Sequence, residues 1–242
     1  MNLILFTSAE SAGPLAKNDP RAHHLLSVLR RNPGDTFDAG LINGPRGKGK
    51  VEAIEPDALR LSFTWDAPLS PLDPLILILG LPRPQTARDL LREATTLGAT
   101  AVHFVSTERS DPNYASSSLW STGEWKRLCL QGAEQAFDTR IPEVTWTLSL
   151  ASAIAALPPT SARVALDNYE ATSGLGACPA LTASADRPVA LAFGPERGWG
   201  EADRAILRRT GFTLAHLGPR VLRAETAMVA GVSILRSRRG QM

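Results

Sequence analysis

The sequence predicts a two-part α/β chain: a small β-barrel-like module followed by a larger domain built on a mostly parallel sheet. Two observations lead there. Strand-length runs and tight turns fill the first 65 or so residues around a single helix, whereas beyond residue 74 apolar runs alternate with amphipathic stretches. That alternation is the pattern of helices packed on buried parallel strands. Between the two parts, Ala67 to Pro74 carries three prolines, each fixing φ and removing a backbone donor, and reads as the linker. The expected domains are 1–68 and 73–242.

In the first part, Pro20–Arg30 reads as the helix, with His24, Leu25, Val28 and Leu29 in a stripe of helical period, stopped by Asn32-Pro33-Gly34-Asp35. Thr36–Ile42, Gly49–Ile54 and Ala58–Phe63 read as strands joined through Asn43–Gly47 and Glu55–Asp57. In the second part the expected strands are Leu75–Leu81, Ala101–Val105, Arg163–Asp167, Pro188–Phe193 and Phe212–Leu217. The expected helices are Thr86–Leu97, closed by Gly98, then Gly123–Phe137, Glu201–Arg209 and Glu225–Arg236.

Composition excludes several functions. Hydrophobic residues at 43% and charged residues at 21% are enough for a packed core and too few charges for broad disorder. A formal net charge of +2 advertises no global affinity for nucleic acid, so any basic patch must be local. Cys129 and Cys178 stand far apart without ligand spacing, so no disulfide framework and no metal site is expected. The longest apolar runs are too short to cross a bilayer, and the N-terminus lacks the features of a signal peptide, so the expectation is a soluble cytoplasmic protein without membrane contact.

Gly44-Pro45-Arg46-Gly47-Lys48-Gly49-Lys50-Val51 almost spells a phosphate-binding loop, but Val51 stands where a hydroxyl must reach magnesium and a strand follows in place of a helix. What remains is a basic hairpin tip, Arg46, Lys48 and Lys50, in a module that also offers Arg21 and Arg30; these five are the candidate contacts to a phosphate backbone, weighed against a plain solvated turn. No Gly-x-Gly-x-x-Gly follows a strand and no Gly-x-Ser-x-Gly elbow occurs, which argues against a dinucleotide-binding Rossmann domain and a serine hydrolase. The four histidines have no ligand partners at suitable spacing.

The informative segments lie late in the chain. One expected strand runs into Gly194-Pro195-Glu196-Arg197-Gly198-Trp199-Gly200 and another into Gly218-Pro219-Arg220-Val221-Leu222-Arg223-Ala224-Glu225, which opens a helix. Ligands bind beyond the carboxyl ends of strands in α/β sheets, and glycines let backbone groups approach a flat polar ligand. Two such loops, both dense in Gly, Glu and Arg, favour a binding site over the alternative of sharp turns with capping acids, such as Glu225 at a helix N-terminus.

These loops resemble the signature segments of the 16S ribosomal RNA uracil-N3-methyltransferase family, a branch of the SPOUT superfamily of S-adenosylmethionine-dependent RNA methyltransferases. The family's Gly-Pro-Glu-Gly-Gly loop is similar to Gly194–Gly198, and its Leu-Gly-x-Arg-x-Leu-Arg-x-Glu-Thr-Ala segment to Leu217 through Ala227. Further matches are His24 to Arg30 followed by Pro33-Gly34-Asp35, then Glu93 to Leu97-Gly98, Ser106 to Arg109, and Glu134-Gln135 leading to Arg140-Ile141-Pro142. The chain departs from the family pattern at Arg197, at Ala224, at Arg83-Pro84-Gln85 and at Asp138-Thr139-Arg140.

The resemblance implies a PUA-like RNA-binding β-barrel over 1–68, a SPOUT domain with a trefoil knot over 73–242, a homodimer, and transfer of a methyl group from S-adenosylmethionine to N3 of a uridine in 16S ribosomal RNA. The alternatives are another RNA position, a ribose 2′-hydroxyl, or a ribosome-assembly factor without turnover. It further implies cofactor contacts from Gly194, Pro195, Glu196, Gly198, Leu217, Gly218, Val221 and Leu222, with Leu166 as an apolar wall and Ala227 at the helix start. Uridine N3 must lose a proton, so Arg223 is expected as the cation that stabilises the uracil anion. Glu196 is expected to orient the base or the cofactor, and Glu225 to brace Arg223 or a partner subunit.

Overall fold

A computed structural model describes residues 3–182 and 187–242 of the chain. Contacts divide it into two units, one holding the chain up to Pro71 together with Ala133–Ile141, the other Leu72–Gly132 and Pro142–Met242.

In the first unit β1 (Ile4–Phe6), β2 (Leu15–Ala16), helix α1 (Pro20–His23), β3 (Thr36–Leu41), β4 (Arg46–Ile54) and β5 (Ala58–Trp65) follow in order. The five strands form one sheet in the order β1-β3-β4-β5-β2, antiparallel except for the β1–β3 pair. Its inner face buries Phe6, Leu25, Phe37, Val51 and Leu59. The expected helix Pro20–Arg30 is shorter and wider than its stripe suggested. Asp19 caps α1 by accepting from the Arg21 amide, and from His24 the chain continues as a π-helical turn to Val28. The Leu29 amide there reaches back five residues to His24, and Arg30 turns left-handed at φ +52° before Asn32-Pro33.

The basic loop is also corrected. Strand β4 begins at Arg46, so Arg46, Lys48 and Lys50 project from one face of a strand and not from a hairpin tip. The glycines between them answer to packing: a Cβ on Gly47 would lie 2.9 Å from Trp65 Cα, and one on Gly49 would run into the Phe37 ring, 2.7 Å from its Cε2. The phosphate-loop look of this segment is thus the signature of two tight cross-strand contacts.

The second unit runs β6 (Leu75–Gly80), α2 (Pro84–Thr96), β7 (Ala101–Ser106), α3 (Ser118–Ser121), α4 (Glu124–Gln135), β8 (Glu143–Ser149), α5 (Leu150–Ala155), β9 (Ala162–Leu166), β10 (Val189–Phe193), α6 (Glu201–Arg209), β11 (Thr213–Ala215) and α7 (Ala224–Arg238). The end of α4 and the turn after it, Ala133–Ile141, group with the first unit, whereas the sequence boundary had left them in the second domain. Asn43 and Thr139 explain this: the Asn43 amide donates to the Thr139 carbonyl at 2.8 Å, and the Thr139 hydroxyl to the Gly44 carbonyl at 2.5 Å.

All six strands of the second sheet are parallel, in the order β11-β9-β10-β6-β7-β8. Their carboxyl ends therefore share one edge. Strand β10 enters between β9 and β6, so the direction in which strands are added reverses there, which is where α/β sheets open a crevice. The central strands are apolar throughout because helices cover both faces; Ile78, Ala165, Ala192, Trp199, Leu207 and Phe212 form one of the buried clusters. No helix among the described residues is long and apolar enough to cross a membrane, and no three His, Cys, Asp or Glu side chains among them gather as a metal site.

Candidate active site

Three loops meet at the carboxyl edge of the sheet. They follow β9, β10 and β11, and one cavity lies among them. Leu166 and Phe193 line it from the strand ends, with Gly194, Pro195, Glu196, Gly198 and Trp199 from the second loop and Leu217, Val221 and Leu222 from the third; Ala224 and Ala227 of α7 complete that side. The two glycine-rich loops singled out in the sequence are thus brought together.

The loops are held by hydrogen bonds the sequence does not advertise. The Trp199 indole donates to the Leu166 carbonyl at 3.0 Å, tying the end of β9 to the loop after β10. Asp167, 4% exposed, accepts from the amides of Tyr169 and Glu170 at 2.8 and 2.6 Å and from Arg204 Nε at 2.7 Å, and that guanidinium lies over the Tyr169 ring at 5.4 Å. A buried carboxylate with three donors fixes the turn that puts Asp167, Asn168 and Tyr169 on the cavity wall.

Glycine is required at two places here. Gly198 adopts φ +70°, and a Cβ on Gly80 would sit 2.6 Å from the Pro195 nitrogen, so the end of β6 can lie against the second loop only without a side chain.

Among the expected cofactor contacts, Leu166, Gly194, Pro195, Glu196, Gly198, Leu217, Val221, Leu222 and Ala227 all line the cavity. Gly218 sits between two lining residues without lining it itself; its amide donates to His216 Nδ1 at 3.1 Å and its φ is +103°. The amides of Glu196, Val221 and Leu222 have no partner within the protein among the described residues. The sequence reading missed Asp167, Asn168, Tyr169, Phe193, Trp199 and Ala224. The rule that named the other two loops, a turn leaving the carboxyl end of a parallel strand, applies equally to the loop after β9 and would have found the first three.

Of the expected catalytic side chains, Glu196 lines the cavity and its Oε1 accepts from the Arg83 amide at 3.2 Å, with Arg83 Nε 3.6 Å away. Arg223 is the N-cap residue of α7, exposed, between the lining residues Leu222 and Ala224. Its guanidinium and the Glu225 carboxylate have no partner among the described residues, so the expected brace between Arg223 and Glu225 is not formed within the chain.

The five candidate RNA cations divide differently. Arg21 bridges Asp19 and Glu10 at 2.8 and 2.7 Å, donates to the Leu5 carbonyl and covers the Phe6 ring. That guanidinium pulls the Glu10 carboxyl from 4.5 to about 2 and lowers Asp19 in the same way. Arg46 donates to the Phe137 carbonyl at 3.0 Å and lies over that ring. Lys48 and Lys50 pair with Asp38 and Glu52 on the surface, at 2.6 and 3.1 Å. Arg30 is exposed in its left-handed turn.

Comparison with known proteins agrees with this geometry. The family model for an RNA methyltransferase domain matches residues 68–236. The ribosomal RNA small subunit methyltransferase E of Treponema pallidum is 30% identical over 244 residues, taking in 97% of this chain and 90% of that protein. The chain belongs to the ribosomal RNA small subunit methyltransferase E family. A second member, from Borreliella burgdorferi, is 23% identical across 98% of both sequences. The crystal structure of the family member from Neisseria gonorrhoeae, bound to S-adenosyl methionine, superposes with a TM-score of 0.80 at 22% identity over 98% of this chain and 97% of that one, so the fold is shared along the whole length.

Proposed function

We propose that this chain is an S-adenosylmethionine-dependent methyltransferase acting on N3 of a uridine in 16S ribosomal RNA, in the cytoplasm. The observation that carries the reading is the cavity at the β9, β10 and β11 strand ends, which combines apolar walls with backbone amides that have no partner among the described residues. Such a slot fits the donor: Leu166, Leu217 and Leu222 offer a face for a purine, while the amides of Val221 and Leu222 supply donors for its edge. Glu196, at the mouth, is placed for the positively charged amino-acid end. When bound, the donor supplies an electrophilic methyl group for in-line displacement.

The chain's own residues then have to place and ionise the acceptor. Most of the acceleration comes from alignment and from fixed charge. Arg223 stands at the N-terminus of α7, where the helix dipole adds to its own charge, so both favour an anion at that spot. A uracil that has given its N3 proton to solvent water is such an anion, with its charge delocalised onto the neighbouring carbonyl oxygens. Glu225, without a partner among the described residues, is left to act across a homodimer, whose interface would include the exposed Val221 near the cavity mouth. The mostly antiparallel first unit is read as a PUA-like RNA-binding barrel, and the second, by family likeness, as a SPOUT domain threaded into a trefoil knot.

The test is nucleoside mass spectrometry of small-subunit RNA from cells with and without the gene. Loss of N3-methyluridine on deletion, restored by the wild-type gene, is expected; a missing 2′-O-methylated nucleoside would instead assign the ribose, and an unchanged profile would remove the enzymatic reading.

A further inference from the structure

A second hollow, of about 510 Å³, opens on the same edge of the second sheet, and Pro195 and Glu196 line both it and the donor cavity. The two spaces are therefore back to back across a single loop. Three guanidinium groups surround the second one: Arg197 after β10, Arg83 after β6 and Arg109 after β7. Because β10, β6 and β7 are neighbours in the sheet, these three cations form a row at adjacent strand ends.

Their hydrogen-bonding capacity is largely unused. Arg197 has no side-chain partner among the described residues. Arg109 donates through Nη1 alone, to the Arg197 carbonyl at 2.9 Å, and Arg83 through Nε alone, to the Thr86 hydroxyl at 3.2 Å. Two carboxylates of the hollow are engaged elsewhere: Glu108 accepts from the Ala202 amide at 3.0 Å at the start of α6, and Asp111 from the Asn113 amide at 2.9 Å; Glu196 accepts from the Arg83 amide and lies 3.6 Å from Arg83 Nε. Formal charges in the hollow cancel, so it is no general attractor of anions; what it has in surplus is forked donors. Guanidinium forks match the paired oxygens of a phosphodiester.

We infer that this hollow clamps the phosphodiesters flanking the nucleotide to be methylated. The inference rests on the methyl-transfer reading and adds to it the place where the RNA strand lies. A strand held by Arg197 has its next nucleotide one loop away from the donor, on the side where Glu196 faces both spaces. Tyr114, also lining the hollow, offers a ring against which a neighbouring base can stack. The cations named from the sequence did not include these three, because they are scattered over more than a hundred residues and only the parallel sheet aligns them.

The decisive variant is Arg197→Gln, since that side chain has no partner among the described residues and its removal should leave the fold alone. Steady-state methyl transfer to 30S subunits from deletion cells should show KM for the subunit raised roughly tenfold, with the calorimetric Kd for S-adenosylmethionine unchanged within about twofold and the salt slope of binding flatter by about one. Arg197→Lys should keep the slope but recover only part of KM, because it keeps the charge and loses the fork. Unchanged KM and slope in Arg197→Gln and in the triple variant with Arg83→Gln and Arg109→Gln would overturn the clamp, as would parallel loss of donor affinity in Arg197→Gln alone. Failure of the wild-type chain to bind the donor or to label the subunit would instead overturn the methyl-transfer reading on which it stands.

Discussion

Arg21 and Arg46 of the first unit direct their donors to Asp19, Glu10 and the carbonyls of Leu5 and Phe137, and each guanidinium lies over an aromatic ring. Arg197 and Arg223, beside the cavities of the second unit, have no protein partner for their side chains among the described residues. The same residue type is structural in one region and available in the other. In a chain with a net charge of only +2, local context and not charge density tells which arginines can meet a ligand.

The sharpest way to break that contrast is Arg223→Ala. If Arg223 stabilises the acceptor anion, methyl transfer should fall by about a hundred- to a thousandfold, the scale of losing an electrostatic transition-state contact. The melting temperature should stay within a degree or two and donor affinity within about an order of magnitude. Calorimetry showing complete loss of donor binding would make Arg223 a cofactor ligand instead.

Next in size is the buried pair beneath the cavity. Asp167→Ala leaves Arg204, 6% exposed, with only Glu170 3.7 Å away, and should cost about 3 kcal/mol in denaturant unfolding. Because Asp167 also holds the Tyr169 turn, donor affinity should fall with it. Adding Arg204→Met should return part of the stability, since it removes the unpaired buried charge while the Tyr169 and Glu170 amides still lack their acceptor, and should not return the affinity. Recovery of both would mean that the turn holds itself without the carboxylate.

What was legible beforehand follows the same division. Glu201–Arg209 is found as read, and the loops at Gly194 and Gly218 stood out because glycine, proline and charge directly after an apolar run mark a sharp turn at a strand's carboxyl end. Strand β8 and helix α5 were not seen: Val144, Trp146 and Leu148 alternate as in an edge strand, while continuous apolar runs mark only the buried strands. Asp167 gave no signal because its partner Arg204 lies 37 residues away and meets it only in the folded sheet. The π-helical turn at His24–Val28 has no periodicity of its own to betray it.

A third expectation tests the first unit by pH. The Arg21 guanidinium depresses both Glu10, to about 2, and Asp19. Folded pKa values below the unfolded ones mean that this stabilisation is complete above about pH 4.5 and is lost as the pH falls toward 2. Arg21→Ala should therefore lower stability at neutral pH by about 2 kcal/mol and flatten the acid limb between those values, leaving donor binding unchanged. An acid limb identical to wild type would place the titrating groups elsewhere.

The smallest effect is expected at Lys48, and it tests whether the exposed face of β4 has a cation to offer a ligand. Its pair with Asp38 is on the surface, with 62% of the lysine side chain exposed, so Lys48→Ala should change stability by less than about 1 kcal/mol. A surface ion pair of that strength is readily exchanged for a phosphate. If the β4 face meets RNA, the variant should lower the slope of log affinity against log salt by roughly one while donor binding stays constant. If the slope does not move in Lys48→Ala or Lys50→Ala, the exposed face of β4 is a solvated surface, and the RNA contacts of this chain belong to cations such as Arg197 at the strand ends of the parallel sheet.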